Sequence, residues 1–174
     1  MKGINNLNEL VKINTLEHHP FFSTNADQYL KWTPMVAVMI MDAIGIKTSH
    51  NWKNHLAIIG TSICLLNGIV QPLKKYTKEI RPNWSAKEDS FPSSHTATCF
   101  LGAEIVHQEL RSNYPLISYS SYALASVTGI IRILKNKHWV TDVAVGATLG
   151  IAVGKFTYLL VKKLQKKEVD YRVS

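Results

Sequence analysis

Three short clusters rich in basic, serine and histidine residues lie in the middle of this sequence. They are KKYTKEIRP at residues 74–82, FPSSHT at residues 91–96 and IRILKNKHWVTD at residues 131–142. Taken singly, each has a plain structural explanation: a solvated helix end, a helix cap with an incidental histidine, and a buried His–Asp pair. Taken together, they hold what phosphoryl transfer requires, namely cations around the phosphate oxygens, an in-line nucleophile and an acid for the leaving oxygen.

The phosphate-holding groups come from all three clusters. Lys74, Arg81 and Arg132 would provide the cations. Ser93 and Ser94 precede a helical pattern, so either could cap that helix, and its first backbone N–H groups would form an anion site. We therefore expect one phosphate to be held by groups that are distant in sequence.

The reacting groups are two histidines. His138 is followed four residues later by Asp142, and residues with this spacing lie on the same face of a helix. Asp142 could then accept the imidazole Nδ1–H and leave Nε2 as the nucleophile, with His95 as the acid. Because no carboxylate cluster suited to Mg²⁺ accompanies them, we expect no metal and no cofactor, and a reaction through a phosphohistidine.

The three clusters resemble the tripartite motif of the type 2 phosphatidic acid phosphatase superfamily in their order and internal spacing, over about residues 74–150. That superfamily includes membrane lipid phosphatases, soluble class A bacterial acid phosphatases and vanadium haloperoxidases. The residues that carry the resemblance are Lys74, Arg81 and Pro82; Pro92, Ser93, Ser94 and His95; and Arg132, His138 and Asp142.

The resemblance implies a role for each matching residue. His138 would attack phosphorus, Asp142 would support it, and His95 would protonate the leaving alkoxide. Phosphate would be held by Lys74, Arg81, Ser93, Ser94 and Arg132.

The sequence departs from the family pattern at two positions. The family usually has glycine where Ser94 stands and serine where Ile131 stands. Neither change removes a charged catalytic group. Lys75 remains an alternative to Lys74 in register, although the family spacing favours Lys74.

The elements that must position these residues are predicted to be helices. Strand-like alternation is hard to find, whereas long apolar segments recur. We expect an all-α fold, a bundle of about five long helices plus an N-terminal amphipathic helix, forming one domain over residues 1–174 with its motif-bearing core at 74–150. The five segments are Thr33–Ile46, Asn54–Leu73, a third that follows Ser94, Ser112–Ile131, and Trp139–Val161, the last with a small-residue face at Gly146, Gly150 and Gly154.

Composition leaves two classes open for such a bundle. Hydrophobic residues make up 46% and charged residues 18% of 174 residues, and the net charge is +8. The charge favours anionic partners, but no basic stripe interleaved with aromatics points to nucleic acid. The second and fourth segments are long enough to span a membrane, while a soluble bundle with buried core helices is the alternative. Cys64 and Cys99 lie in apolar segments, so neither a disulfide framework nor a cysteine-rich zinc site is expected.

Charge placement favours the membrane interpretation. If the segments cross in alternating directions, Lys47, Lys53, Arg111 and the lysines at 162–167 share one side, which the positive-inside rule makes cytoplasmic. The three clusters then share the other side. The N-terminus has no secretory h-region, so internal segments would direct insertion unless a further segment precedes it.

The resulting expectation is a metal-independent phosphatase of a lipid phosphate in a bacterial inner membrane, multi-pass, with its active site facing the periplasm. Phosphatidic acid, phosphatidylglycerol phosphate, polyprenyl diphosphate and lipid A phosphates are all candidate substrates. One alternative is a soluble periplasmic acid phosphatase of broad specificity; another is a non-catalytic helical membrane protein that binds anionic lipid. The oligomeric state is left open.

Overall fold

The computed structural model describes residues 2–83 and 85–173, with side chains described for 6–83 and 85–164. These residues form an all-helical bundle without strands. The helices are α1 (Lys2–His18), α2 (Ala26–Leu30), α3 (Thr33–Ala43), α4 (Trp52–Thr77), α5 (Ser94–Leu110), α6 (Pro115–Leu134) and α7 (Val140–Val173). The prediction of five long helices after an N-terminal helix is confirmed, and the short α2 is additional.

Helix α5 is the central element of the bundle. It packs against α7, α6, α3 and α4, and Leu101, Ile105 and Leu110 are fully buried on it. Because α5 is surrounded on all sides, its first residues are fixed in place by the core. Those first residues are the serine–histidine cluster.

The predicted glycine face of α7 is confirmed and lies directly against α5. A Cβ atom added to Gly150 would stand 2.3 Å from the carbonyl oxygen of Ala97, and one added to Gly146 would stand 2.7 Å from that of Ser93. Backbone atoms cannot approach a side chain so closely, so both positions require glycine. This close approach brings the start of α7, which carries Asp142, next to the start of α5.

Among the described residues, three helices are long and apolar enough to cross a membrane: Trp52–Thr77, Pro115–Leu134 and Val140–Leu164. The first two correspond to the predicted spans, and the third shows that the fifth segment also qualifies. On α1, Leu7, Leu10 and Ile13 are exposed, as an amphipathic helix at an interface would have them. The side chain of Ile4, predicted on the same face, lies outside the described side chains.

Of the basic residues predicted to share one side, Arg111 and Lys162 line one cavity at one end of the bundle. Lys47 lies near them, since its carbonyl oxygen accepts a hydrogen bond from Asn113 at 3.4 Å. The side chains of Lys166 and Lys167 lie outside the described residues. The opposite end holds the end of α4, the starts of α5 and α7, and the end of α6.

Candidate active site

The loop between α4 and α5 links the first and third clusters. Arg81 donates two hydrogen bonds to the carboxylate of Asp89, at 2.7 and 2.9 Å. Lys74 Nζ donates to the carbonyl oxygen of the same Asp89. Lys74, rather than the exposed Lys75, therefore points to this loop, which agrees with the register that the spacing predicted.

The next residue of the loop, Ser90, holds the predicted nucleophile. The Nδ1–H of His138 donates to the carbonyl oxygen of Ser90 at 2.8 Å, whereas Asp142 Oδ2 lies 3.5 Å from Nδ1. Ser90 Oγ donates to Asp142 Oδ2 at 2.5 Å. The expectation that Asp142 itself accepts the Nδ1–H is thus corrected: the nearer acceptor is a backbone carbonyl, and the carboxylate secures the residue that provides it.

The distance between His138 and Asp142 depends on where α7 begins. His138 precedes α7, which starts at Val140, so the two residues are not one turn apart on a regular helix. Asp142 instead accepts the backbone N–H of Trp139 at 2.9 Å, which is how an acidic side chain in the first turn caps a helix. Its carboxylate closes the start of α7 and braces the loop at the same time.

The Nε2 atom of His138 faces Arg132, the third of the predicted phosphate-holding cations. Arg132 Nη2 lies 3.2 Å from it, and both side chains are buried. Since Nδ1 is the donor to Ser90, Nε2 carries the lone pair that accepts from the guanidinium. Burial lowers the pKa of His138, and Arg132 lowers it further, against the opposing effect of Asp142. The imidazole is therefore neutral, as a nucleophile must be.

The second cluster enters beside these groups. The backbone N–H of Ser93 donates to the carbonyl oxygen of Asp142 at 3.0 Å. Ser93 is the N-cap residue of α5, but its side chain makes no capping hydrogen bond; its hydroxyl pairs with that of Thr96 at 3.0 Å. The predicted side-chain cap is therefore wrong for Ser93. The first N–H groups of α5 have no partners within the helix.

The other two residues of this cluster sit in the first turn of α5. Ser94 is its first residue and is partly buried. The Nε2 atom of His95 lies 3.0 Å from Gln28 Oε1, and burial together with Arg132 lowers the pKa of His95 to about 3. Of the two departures from the family pattern, Ser94 thus lies at the site, while the side chain of Ile131 is buried on α6.

All eight predicted site residues lie at this end of the bundle. The sequence analysis did not identify the residues that hold them there, which are Asp27, Gln28, Asp89 and Ser90. Asp27 is fully buried and accepts from Arg132 and Lys135, and Asp89 and Ser90 form the linking loop. None of these residues carries a local sequence signal. Only the position of Asp89 and Ser90, directly before the serine–histidine cluster, could have drawn attention to them.

Comparisons with known proteins agree with this architecture. Lipid A 1-phosphatase of Porphyromonas gingivalis is 38% identical over 151 residues, covering 86% of this chain and 34% of that protein. The chain thus spans about a third of the length of this relative.

Two crystal structures have the same fold. One is a transmembrane PAP2-type phosphatidylglycerolphosphate phosphatase of Bacillus subtilis, with a TM-score of 0.66, 16% identity and coverage of 94% of this chain and 88% of that one. The other is LpxE of Aquifex aeolicus, with a TM-score of 0.59, 20% identity and coverage of 83% and 92%. At these identities the likeness concerns the fold.

The family assignment rests on the larger part of the chain. The PAP2 superfamily matches residues 55–166, a range that contains all three clusters and α4 to α7 up to residue 166. With three helices able to span a membrane and the same fold as a transmembrane phosphatase, the chain is a helical membrane protein. It belongs to the PAP2 superfamily.

Proposed function

We propose that this protein is a lipid phosphate phosphatase that works through a phosphohistidine on His138. The observation that carries the proposal is the placement of His138 Nε2, which is buried, neutral and 3.2 Å from the guanidinium of Arg132. A neutral imidazole nitrogen beside a cation suits attack on a phosphate, because the cation attracts the oxygens while the lone pair reaches phosphorus.

The proposed reaction has two steps. In the first, Nε2 of His138 forms a bond to phosphorus while the bond from phosphorus to the lipid oxygen breaks. His95, converted to the imidazolium in the substrate complex because the phosphate anion raises its pKa, gives a proton to that oxygen. Lys74, Arg81 and Arg132 would hold the equatorial oxygens, together with the hydroxyl of Ser93 and the N–H and hydroxyl groups of Ser94. In the second, water attacks phosphorus, His95 takes its proton, and phosphate leaves His138.

Asp142 would act indirectly in this scheme. Positive charge develops on the imidazole as Nε2 attacks, and the Ser90 carbonyl that accepts the Nδ1–H stabilises that charge. Asp142 holds Ser90 through its hydroxyl and lies 3.5 Å from Nδ1, close enough to favour the cation electrostatically.

A lipid substrate is supported by the surroundings of the site. Gln28, which contacts His95, lies at one end of an apolar groove along α3. A second groove between α3 and α4, of ≈ 400 Å³, is almost wholly apolar. Apolar faces next to the leaving-group acid fit an acyl chain. Because a relative with 38% identity is named a lipid A 1-phosphatase, a lipid A phosphate is the first substrate to test.

We propose that the site faces the periplasm. The basic residues Arg111, Lys155 and Lys162 gather at the opposite end, which the positive-inside rule assigns to the cytoplasm. The soluble acid phosphatase is disfavoured by three helices with membrane-spanning length and composition. Release of the protein from membranes by carbonate would reinstate it.

The proposal is tested by phosphate release from a panel of lipid phosphates in EDTA. The wild type is expected to release phosphate, and His138→Ala to lose at least about a thousandfold in kcat, as removal of a nucleophile does. His107→Ala is the matched control, because His107 lies on α5 and pairs with Ser118 at 2.7 Å, outside the site. Equal release by wild type and His138→Ala would refute His138 as the nucleophile, and no release by the wild type above background would support the non-catalytic lipid-binding alternative. Loss of release in EDTA would overturn the metal-free reaction.

A further inference from the structure

The short helix α2 places two consecutive residues against two different motifs of the site. Asp27 Oδ2 accepts from Arg132 Nη1 at 2.5 Å, and its Oδ1 accepts from Lys135 Nζ at 2.8 Å. The neighbouring residue, Gln28, contacts His95. Both precede residue 55, where the match to the family begins, so the family motif does not account for them.

Asp27 fixes the guanidinium that faces the nucleophile. Its side chain is fully buried, and although burial raises its pKa, hydrogen bonds from Lys135 and Arg132 bring the pKa below its ordinary value. The ionised carboxylate takes one edge of the Arg132 fork, which leaves Nη2 directed at His138 Nε2. A buried guanidinium without this anchor would have no single preferred orientation.

Gln28 fixes the orientation and the tautomer of the proposed acid. Its amide oxygen lies 3.0 Å from His95 Nε2, so it accepts an Nε2–H and selects the tautomer that carries the proton on that nitrogen. A neutral ring cannot act as the acid, so the donor is the imidazolium that forms when His95 takes up a second proton. Gln28 then keeps the Nε2–H, and the Nδ1–H is the proton available to the leaving lipid oxygen.

We propose that Asp27 and Gln28 are positioning residues of the phosphatase: Asp27 orients Arg132 toward the phosphoryl group, and Gln28 holds the ring of His95 in the orientation from which its imidazolium form donates a proton. This rests on the proposed function. It assigns to α2, outside the three motifs, control over both the phosphate-holding cation and the acid.

The pH dependence of kcat can distinguish a positioning role of Asp27 from a purely structural one. The titratable and charged groups around His95 are Arg132, Lys31, Asp27 and His138; Asp27 raises the pKa of His95, and the other three lower it. Asp27→Asn removes the only one of these four that favours the protonated acid. Because kcat requires a protonated His95 in the substrate complex, the alkaline limb of kcat must then move to lower pH.

The experiment compares Asp27→Asn, Asp27→Glu and Gln28→Leu in detergent micelles with a short-chain lipid phosphate. We expect Asp27→Asn to lower kcat by about 10–100-fold and to shift the alkaline limb to lower pH, while Asp27→Glu keeps the wild-type limb. Gln28→Leu, at an exposed position, is expected to lower kcat more than it changes KM. Tyr29→Phe, an exposed residue of the same helix, is the matched control.

Two results would overturn the inference. One is an alkaline limb of kcat that lies at the same pH in Asp27→Asn as in the wild type, whatever the activity of the variant. The other is a kcat for Gln28→Leu equal to that of Tyr29→Phe. If Asp27→Asn does not fold, Gln28→Leu alone decides. His138→Ala is measured alongside: if it is as active as the wild type, the proposed function itself fails, whereas an inactive His138→Ala with unaffected α2 variants rejects only this inference.

Discussion

At the scale of single residues, the arrangement around His138 depends on a backbone carbonyl more than on a carboxylate. Ser90 accepts the Nδ1–H through its carbonyl oxygen and donates its hydroxyl to Asp142. The carboxylate, the loop and the imidazole therefore act as one unit. Removing the Asp142 carboxylate or the Ser90 hydroxyl should move Nε2 of His138 out of line with the phosphorus atom.

Ser90→Ala tests this unit. The substitution removes the hydroxyl donor but keeps the carbonyl acceptor, so the loss is about one hydrogen bond, or 0.5–1.5 kcal/mol. We expect kcat to fall by about 3–10-fold, and to fall further in Asp142→Asn. Ser126→Ala is the control, because its exposed hydroxyl bonds only to the carbonyl of Tyr122 on α6. Equal kcat values for Ser90→Ala and Ser126→Ala would contradict the account.

His95 should change its protonation when phosphate binds. Its pKa of about 3 reflects burial and the nearby Arg132, and an anion within a few ångströms favours the imidazolium, raising the pKa by about 1–3. Titration by NMR of histidine-labelled protein, with the signal assigned from His95→Gln, should show a neutral ring at pH 6 and a higher pKa with vanadate. A pKa that vanadate leaves unchanged would speak against His95 as a group that faces the phosphate.

At the scale of elements, the site depends on the contact between α5 and α7. The backbones of the two helices approach each other along Gly146, Gly150 and Gly154. This contact brings the N-terminal ends of both helices together, with Ser93 bonded to the carbonyl oxygen of Asp142. A side chain in the contact would separate the second and third clusters.

Gly150→Ala measures the contact. The new Cβ would stand 2.3 Å from a carbonyl oxygen and 2.8 Å from a backbone nitrogen, and neither atom can move without the helix. We expect destabilisation by about 1–3 kcal/mol, seen as a Tm lower by several degrees. In the control Gly60→Ala, the Cβ meets nothing within 4 Å, and the better helix propensity of alanine should leave Tm unchanged or higher. Equal Tm values for both variants would show that the contact is not close-packed.

At the scale of the whole molecule, charge and helix direction divide the bundle into two ends. The site lies at one end, and the basic cavity lined by Arg111, Lys155 and Lys162 lies at the other. Three apolar helices of sufficient length connect the ends. A bilayer would therefore separate the candidate active site from the basic end.

Cysteine labelling tests this orientation. Single cysteines replace Glu88 in the α4–α5 loop or Lys53 at the start of α4, both exposed, in a background without the exposed Cys64. In spheroplasts, a membrane-impermeant maleimide is expected to label position 88 at once and position 53 only after permeabilisation. The reverse pattern would place the site in the cytoplasm.

The sequence alone was sufficient for the helical bundle, the glycine face of α7 and the eight charged or serine and histidine residues that gather at the site. These follow from periodicity and spacing, which are local properties of the chain. Asp27, Gln28 and Ser90 could not be predicted, because their roles arise from contacts across 48–105 residues that only the packed bundle creates. The prediction that Asp142 accepts the Nδ1–H of His138 was wrong for a related reason, because α7 begins two residues after His138.

The most direct test of the central claim is the detection of phosphate on His138. Wild-type protein is mixed with a ³²P-labelled lipid phosphate, quenched in alkali, which preserves phosphohistidine, and digested to locate the label. The account predicts a labelled peptide that contains His138 in the wild type and none in His138→Ala. Label on another residue, or equal labelling of the variant, would contradict it.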